Sequence, residues 1–218
     1  RIDRARVDEG VAAVAAVRAA VGNSMEIMVD LNQSWRMAGD IAPALDLAAV
    51  RLLVRRLREL DVFWVEEPLP YTDRSGLAAL RADAGVRIAG GEMLDSTDAV
   101  LAHLEHDLLD VHQADVVLAL GMSRARTLGE LALLRHRSFT PHTWTNGIGL
   151  LANLHVVAGI GGGPYLEFPH DPPGWTPDRR DFVLTEPVRI DADGCVRVPD
   201  RPGLGADLDP DALNRYRV

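Results

Sequence analysis

Lysine is missing altogether from this 218-residue chain, so all 23 of its basic residues are arginine. That absence removes lysine as a general base or Schiff-base former. The single cysteine, Cys195, excludes an intrachain disulfide and a thiolate metal cluster, and it suits a reducing compartment; a cytoplasmic location is expected. No apolar run reaches the roughly 20 residues a membrane helix requires. The opening RIDRARVDEG has no hydrophobic stretch behind its arginines and does not read as a secretory signal. Basic groups are outnumbered by 32 acidic ones, giving a net charge of −9. A phosphate backbone or an anionic membrane would be repelled, so neither nucleic acid nor membrane is an expected partner.

A Gly-rich phosphate loop after a first strand is also lacking. The run GIGGGP (159–164) leaves a helix and enters a strand, the reverse of a dinucleotide fingerprint. What remains is a chain of 47% hydrophobic residues, enough to bury the core of an α/β domain. Helical spacing is expected over 7–21, 44–60, 74–83, 96–105, 121–135 and 147–160, and strands at 26–30, 62–66, 87–92, 108–115, 138–142 and 164–168. Strands joined by single helices run parallel, which leaves an open doubly wound sheet or a (β/α) barrel of TIM type. Six strands leave a barrel two short of eight, so the chain reads as the C-terminal portion of something longer. The barrel portion is expected over 1–180. Residues 181–218 are expected to form a hairpin around Asp193-Gly194 and a tail with a short helix at 210–217, packing on the barrel or on a further domain.

Polar groups stand at the end of each expected strand: Asp30 with Asn32, Glu66, Glu92, Asp115, His142 and Glu167, at intervals of 36, 26, 23, 27 and 25 residues. One β/α unit takes about that length, so these side chains would converge on the face where barrels place their chemistry. Each has a structural alternative, as a cap, a loop carboxylate or a core histidine. Three converging carboxylates repel one another unless a cation holds them. Oxygen-only ligation by Asp30, Glu66 and Glu92 suits Mg²⁺ better than zinc. Neighbouring strand residues face opposite sides, so only one of Glu66 and Glu67 can face the barrel axis, and spacing alone does not choose between them. Asp115 beside His142 would fix the imidazole tautomer and strengthen it as a base. Glu167, if protonated, could donate to a developing oxyanion.

Seven motifs together carry a resemblance: VDLNQSW (29–35), WVEEP (64–68), GGE (90–92), HQAD (112–115), TPHTWTNG (140–147), YLEF (165–168) and PGLG (202–205). With them the chain resembles the barrel domain of the enolase superfamily, in its mandelate racemase subgroup. The resemblance implies that Mg²⁺ is held by Asp30, Glu66 and Glu92, with Glu67 a supporting neighbour. It also implies that His142 with Asp115 removes the proton α to a carboxylate, that an enediolate forms, and that Glu167 is the electrophilic partner. Members of the family also carry an acid/base group on the second barrel strand and an N-terminal capping domain, neither of which is found in this sequence. An assembly of several copies is implied as well.

A lysine on the sixth strand is usual in members that catalyse cycloisomerisation or dipeptide epimerisation, and its absence argues against both. The expected reaction is dehydration of a sugar acid, an aldonate or aldarate, with Asn32, Gln33, Trp144 and Asn146 contacting substrate hydroxyls and the loop 33–43 lining the pocket. The alternatives are a 2-hydroxy acid racemase or epimerase using the same chemistry, and a catalytically silent barrel acting as a binding subunit.

Overall fold

The computed structural model describes residues 2–36 and 42–217, so residues 37–41 of the expected pocket loop lie outside the described residues. The chain forms two compact units, one ending at Gln113 and the other starting at Ala114. In the first unit, helix α1 (Val7–Val21) stops at Gly22, whose positive φ of 55° a side chain would oppose. The Arg18 guanidinium then donates to the carbonyls of Leu60 and Asp61, tying α1 to the end of the next helix.

Strands β1 (Ile27–Asp30), β2 (Val62–Glu66), β3 (Arg87–Gly90) and β4 (Val111–His112) pair in parallel in chain order. Helices α2 (Leu47–Glu59), α3 (Arg74–Asp83) and α4 (Thr97–Glu105) separate them. Each helix has an oxygen at its N-cap: Asp46 accepts from Ala49 N, Asp73 from Gly76 N and Ser96 from Ala99 N. The Asp46 cap explains why α2 begins at 47 and not at the expected 44.

Alternation gives the sheet two distinct faces. Val29, Val65 and Ile88 join Val50, Leu53, Val54 and Leu57 of α2 in the main core. Each fully buried Leu or Val there contributes about 1.5–3 kcal/mol over exposure. On the other face Trp64, Ala89 and Val111 pack with Met28. Register pairs Met28 with Trp64 and Asp30 with Glu66, so both carboxylates continue this second face at the strands' C-terminal ends.

The second unit holds a π-helical turn (Val116–Leu120), α5 (Met122–Leu134), the short β5 (Ser138–Phe139), α6 (Gly147–Ile160), α7 (Pro177–Arg180) and α8 (Pro210–Arg215). Two expectations are corrected here. Residues 164–168 form no strand, because Thr143 Oγ1 bonds the Glu167 carbonyl that a ladder would have used. The hairpin expected around Asp193-Gly194 is reduced to its turn: Asp191 N donates to Cys195 O, and Asp191 Oδ1 accepts from the amides of Asp193 and Cys195. The flanking residues pair in no strand, and Pro187 and Pro199, lacking N–H groups, bracket them. Val183 and Leu184 nonetheless pack with Leu151 and Leu154 of α6, so the segment after 181 shares the core of this unit.

Candidate active site

In the first unit, acids stand at or just after the ends of β1, β2 and β3. Asp30 and Glu66 are the last residues of β1 and β2 and are register partners; Glu92 follows β3 by two residues and is buried. The Asp30 carboxylate accepts from Asn32 N at 2.7 Å, and Glu92 Oε1 accepts from the Trp35 indole at 2.7 Å. Glu67 does not alternate outward as a regular strand residue would. Its φ of 46° turns the backbone, and its side chain is buried with only 1% of the residue exposed. Tyr71 Oη donates to Glu67 Oε1 and accepts from Gly91 N at 2.8 Å. Burial, and after it the charge of Glu92, pushes the Glu67 carboxyl up to about 8, with Asp30 adding to the rise. Carboxylates that repel in this way, offering only hard oxygen donors, fit a hard divalent cation. Among the described residues, no three His, Cys, Asp or Glu side chains already stand in an arrangement that would hold one ion. The fit is thus one of donor type and strand position.

The second unit joins Asp115 to His142. His142 Nδ1 lies 2.9 Å from Asp115 Oδ2, and the Asp115 side chain is wholly buried. A carboxylate only accepts, so Nδ1 is the donor of this pair, and in the neutral imidazole the lone pair is then on Nε2. The other oxygen, Oδ1, caps the π-helical turn, accepting from Val117 N at 2.8 Å and Leu118 N at 3.4 Å, and it also accepts from Asn153 Nδ2 at 3.3 Å. Asn153 Oδ1 in turn accepts from Val116 N at 3.0 Å. Glu167 accepts from Thr143 N, the amide next to His142.

The four expected substrate contacts divide by how their polar atoms are engaged. Gln33 Oε1 accepts from Leu45 N at 3.1 Å, and Asn146 caps α6 through the amides of Ile148 and Gly149. Asn32 is buried, with a φ of 43° and a side-chain hydrogen bond to Glu67. Trp144 remains 45% exposed and stacks on Trp175, with ring centroids 6.3 Å apart. Sequence reading missed Tyr71 and Asn153, and took Trp35 only as part of the motif 29–35 and the pocket loop 33–43. Only Asn153 carried a signal, as the lone amide in the mostly apolar LLANLHVV of α6.

Parallel β/α units with acids at their strand ends place the chain in the α/β class. The sequence matches the enolase C-terminal domain-like family over residues 1–212, and the chain belongs to that family, within the enolase superfamily. It is 30% identical to D-galactarolactone cycloisomerase of Agrobacterium fabrum, over 97% of this chain and 54% of that protein. It is likewise 30% identical to arabinonate dehydratase of Saccharolobus solfataricus, over 100% of this chain and 54% of that protein. A solved racemase from Streptomyces coelicolor with bound magnesium superposes at a TM-score of 0.80 with 28% identity, covering 98% of this chain and 53% of that one. The chain spans about half the length of the curated relatives it matches.

Proposed function

We propose that the protein carrying this chain is a Mg²⁺-dependent lyase that removes the proton α to the carboxylate of a sugar acid and then eliminates water. The observation that carries the reading is the buried Asp115 holding His142 Nδ1, which leaves Nε2 as the base. The α C–H bond breaks, its proton moves to His142 Nε2, and its electron pair passes into the carboxylate-stabilised carbanion. The imidazolium, balanced by Asp115, then returns that proton to the departing β-hydroxyl, which leaves as water. The resulting enol tautomerises to a 2-keto-3-deoxy acid. Asp30, Glu66 and Glu92 would hold Mg²⁺, which when bound supplies positive charge to the substrate carboxylate. The relative named as a sugar-acid dehydratase supports this reading.

A second reading has its own support. Cycloisomerisation is supported by a relative of equal identity that is named for cycloisomerisation of a sugar lactone. Racemisation by the same proton transfer is supported by the racemase among the similar structures. The test incubates the complete protein with Mg²⁺ and a library of sugar acids and their lactones. Formation of 2-keto-3-deoxy acids from the open-chain acids, with loss of water, is the expected result. Ring opening without loss of water identifies the cycloisomerase, and solvent deuterium at Cα of recovered substrate identifies the racemase. No turnover, together with calorimetry showing no Mg²⁺ binding, refutes all three and leaves a binding subunit.

A further inference from the structure

Glu92 sits at a point where the backbone has little stiffness of its own. It follows Gly90 and Gly91, and Gly91 has a φ of 115°, a conformation that glycine tolerates and other residues resist. A carboxylate on such a hinge stays in place only if other groups hold it. Trp35 holds the carboxylate, through Nε1–H to Oε1. The backbone is held by Tyr71, whose hydroxyl accepts from the Gly91 amide at 2.8 Å while donating to Glu67. Glu67 is fixed in turn, because its own amide donates to Ala89 O at 3.0 Å and its carbonyl accepts from Gln33 N at 2.9 Å. The hydroxyl of Tyr71 therefore bridges the loop after β2 to the loop after β3, one residue before Glu92. The ring is placed by an edge-on contact with His103, at 5.7 Å between centroids.

We propose that Tyr71 is a positioning residue for Glu92, fixing the Gly91–Glu92 backbone before a cation arrives. The inference rests on the proposed role of Glu92 as a Mg²⁺ ligand. Removing a group that orients a ligand typically weakens metal affinity by about 10–100-fold. In the complete protein, Tyr71→Phe is expected to raise the dissociation constant for Mg²⁺ alone, measured by calorimetry, by about that factor, and excess Mg²⁺ is expected to restore turnover. A purely structural tyrosine would lower the unfolding temperature and leave the Mg²⁺ affinity of the folded protein unchanged. A rise in the dissociation constant smaller than about fivefold, half the lower bound for an orienting group, overturns the inference. The role of Glu92 still stands in that case if Glu92→Gln abolishes binding. If the unaltered protein binds no Mg²⁺, or Glu92→Gln binds as well as it does, the ligand assignment fails and this inference with it. Should Tyr71→Phe fail to fold, amide hydrogen exchange on the unaltered protein under chelator decides. Slow exchange at Gly91 supports a backbone fixed in advance, and fast exchange overturns it.

Discussion

Replacing Asp181 by Asn tests how the loop bearing Glu167 is held. Arg180 and Asp181 form an ion pair whose side chains are both 0% exposed, with Nε and Nη2 each donating to a carboxylate oxygen at 2.6 Å. The same guanidinium donates to Pro169 O at 3.1 Å and to Val188 O at 2.8 Å, and it lies 4.3 Å over the Phe168 ring. Asp181 Oδ2 also accepts from Val188 N at 2.7 Å. Asparagine keeps the shape, but its amide hydrogens must face either the guanidinium or the Val188 N–H, and the buried positive charge loses its counterion. Breaking a buried pair costs about 3–5 kcal/mol. Two carbonyls and an aromatic face still receive Arg180, which places the expected loss near the lower bound, about 3 kcal/mol. At roughly 2–4 °C per kcal/mol for a protein of 150–250 residues, unfolding followed by calorimetry should move down by roughly 6–12 °C. Arg180→Met combined with Asp181→Leu removes both charges and should recover part of that loss. A shift below roughly 2 °C for Asp181→Asn, the equivalent of under about 1 kcal/mol, would refute the reasoning, since it would mean that water or another group already serves the guanidinium.

Two other perturbations address the acids of the site. Asp115→Asn keeps the packing but lets Nδ1 lose its acceptor; turnover on an active sugar acid should fall by about 10²–10⁴-fold with Mg²⁺ affinity unchanged, and a loss under about threefold removes the dyad from the mechanism. Glu67 gives a pH signature in the protein kept under chelator. Its carboxyl titrates near 4.5 ordinarily and near 8 when folded, so between those values the folded state holds a proton that the unfolded state has released. Unfolding then releases a proton, and stability falls as pH rises through this window, with a slope of up to about 1.4 kcal/mol per unit. Glu67→Gln has no such proton to lose, and denaturant midpoints measured across the window should show the slope flattened. An unchanged slope assigns it to other groups.

Local chemistry was legible where it was self-contained. Helices α3 and α6 occupy the expected residues because their ends are written nearby: Asp73 and Asn146 cap the starts, and Gly161 takes the left-handed conformation after α6. Strand β2 ends at Glu66 as VFWVE suggests. The failures share a cause, which is partnership with distant residues. The strand expected at 164–168 lost its ladder to Thr143, some 24 positions away, and the turn at Asp193-Gly194 formed without partners to extend it. Among the candidate site residues, strand-end acids could be picked out by spacing, yet spacing was silent on Glu66 against Glu67. Register separates them, since Asp30 pairs with Glu66 on the Trp64 face while Glu67 turns under Tyr71. Tyr71 and Trp35 had no periodic signal, because what each does depends on a hydrogen bond to a residue distant in sequence.

The bonding of Asp115 limits how its proton chemistry can run. Oδ1 already takes two backbone amides and the Asn153 amide, and Oδ2 faces the imidazole. Such a carboxylate has little accepting capacity left for a substrate proton. Nor can it swing toward a ligand without breaking the cap of the π-helical turn. In the proposed mechanism this confines Asp115 to orienting His142 and balancing the imidazolium, and gives the transfer to Nε2, on a side chain left 13% exposed. Asn153 matters for the same reason: by filling Oδ1 and anchoring Val116 N, it leaves only Oδ2 for the imidazole and so sets a single tautomer for the base.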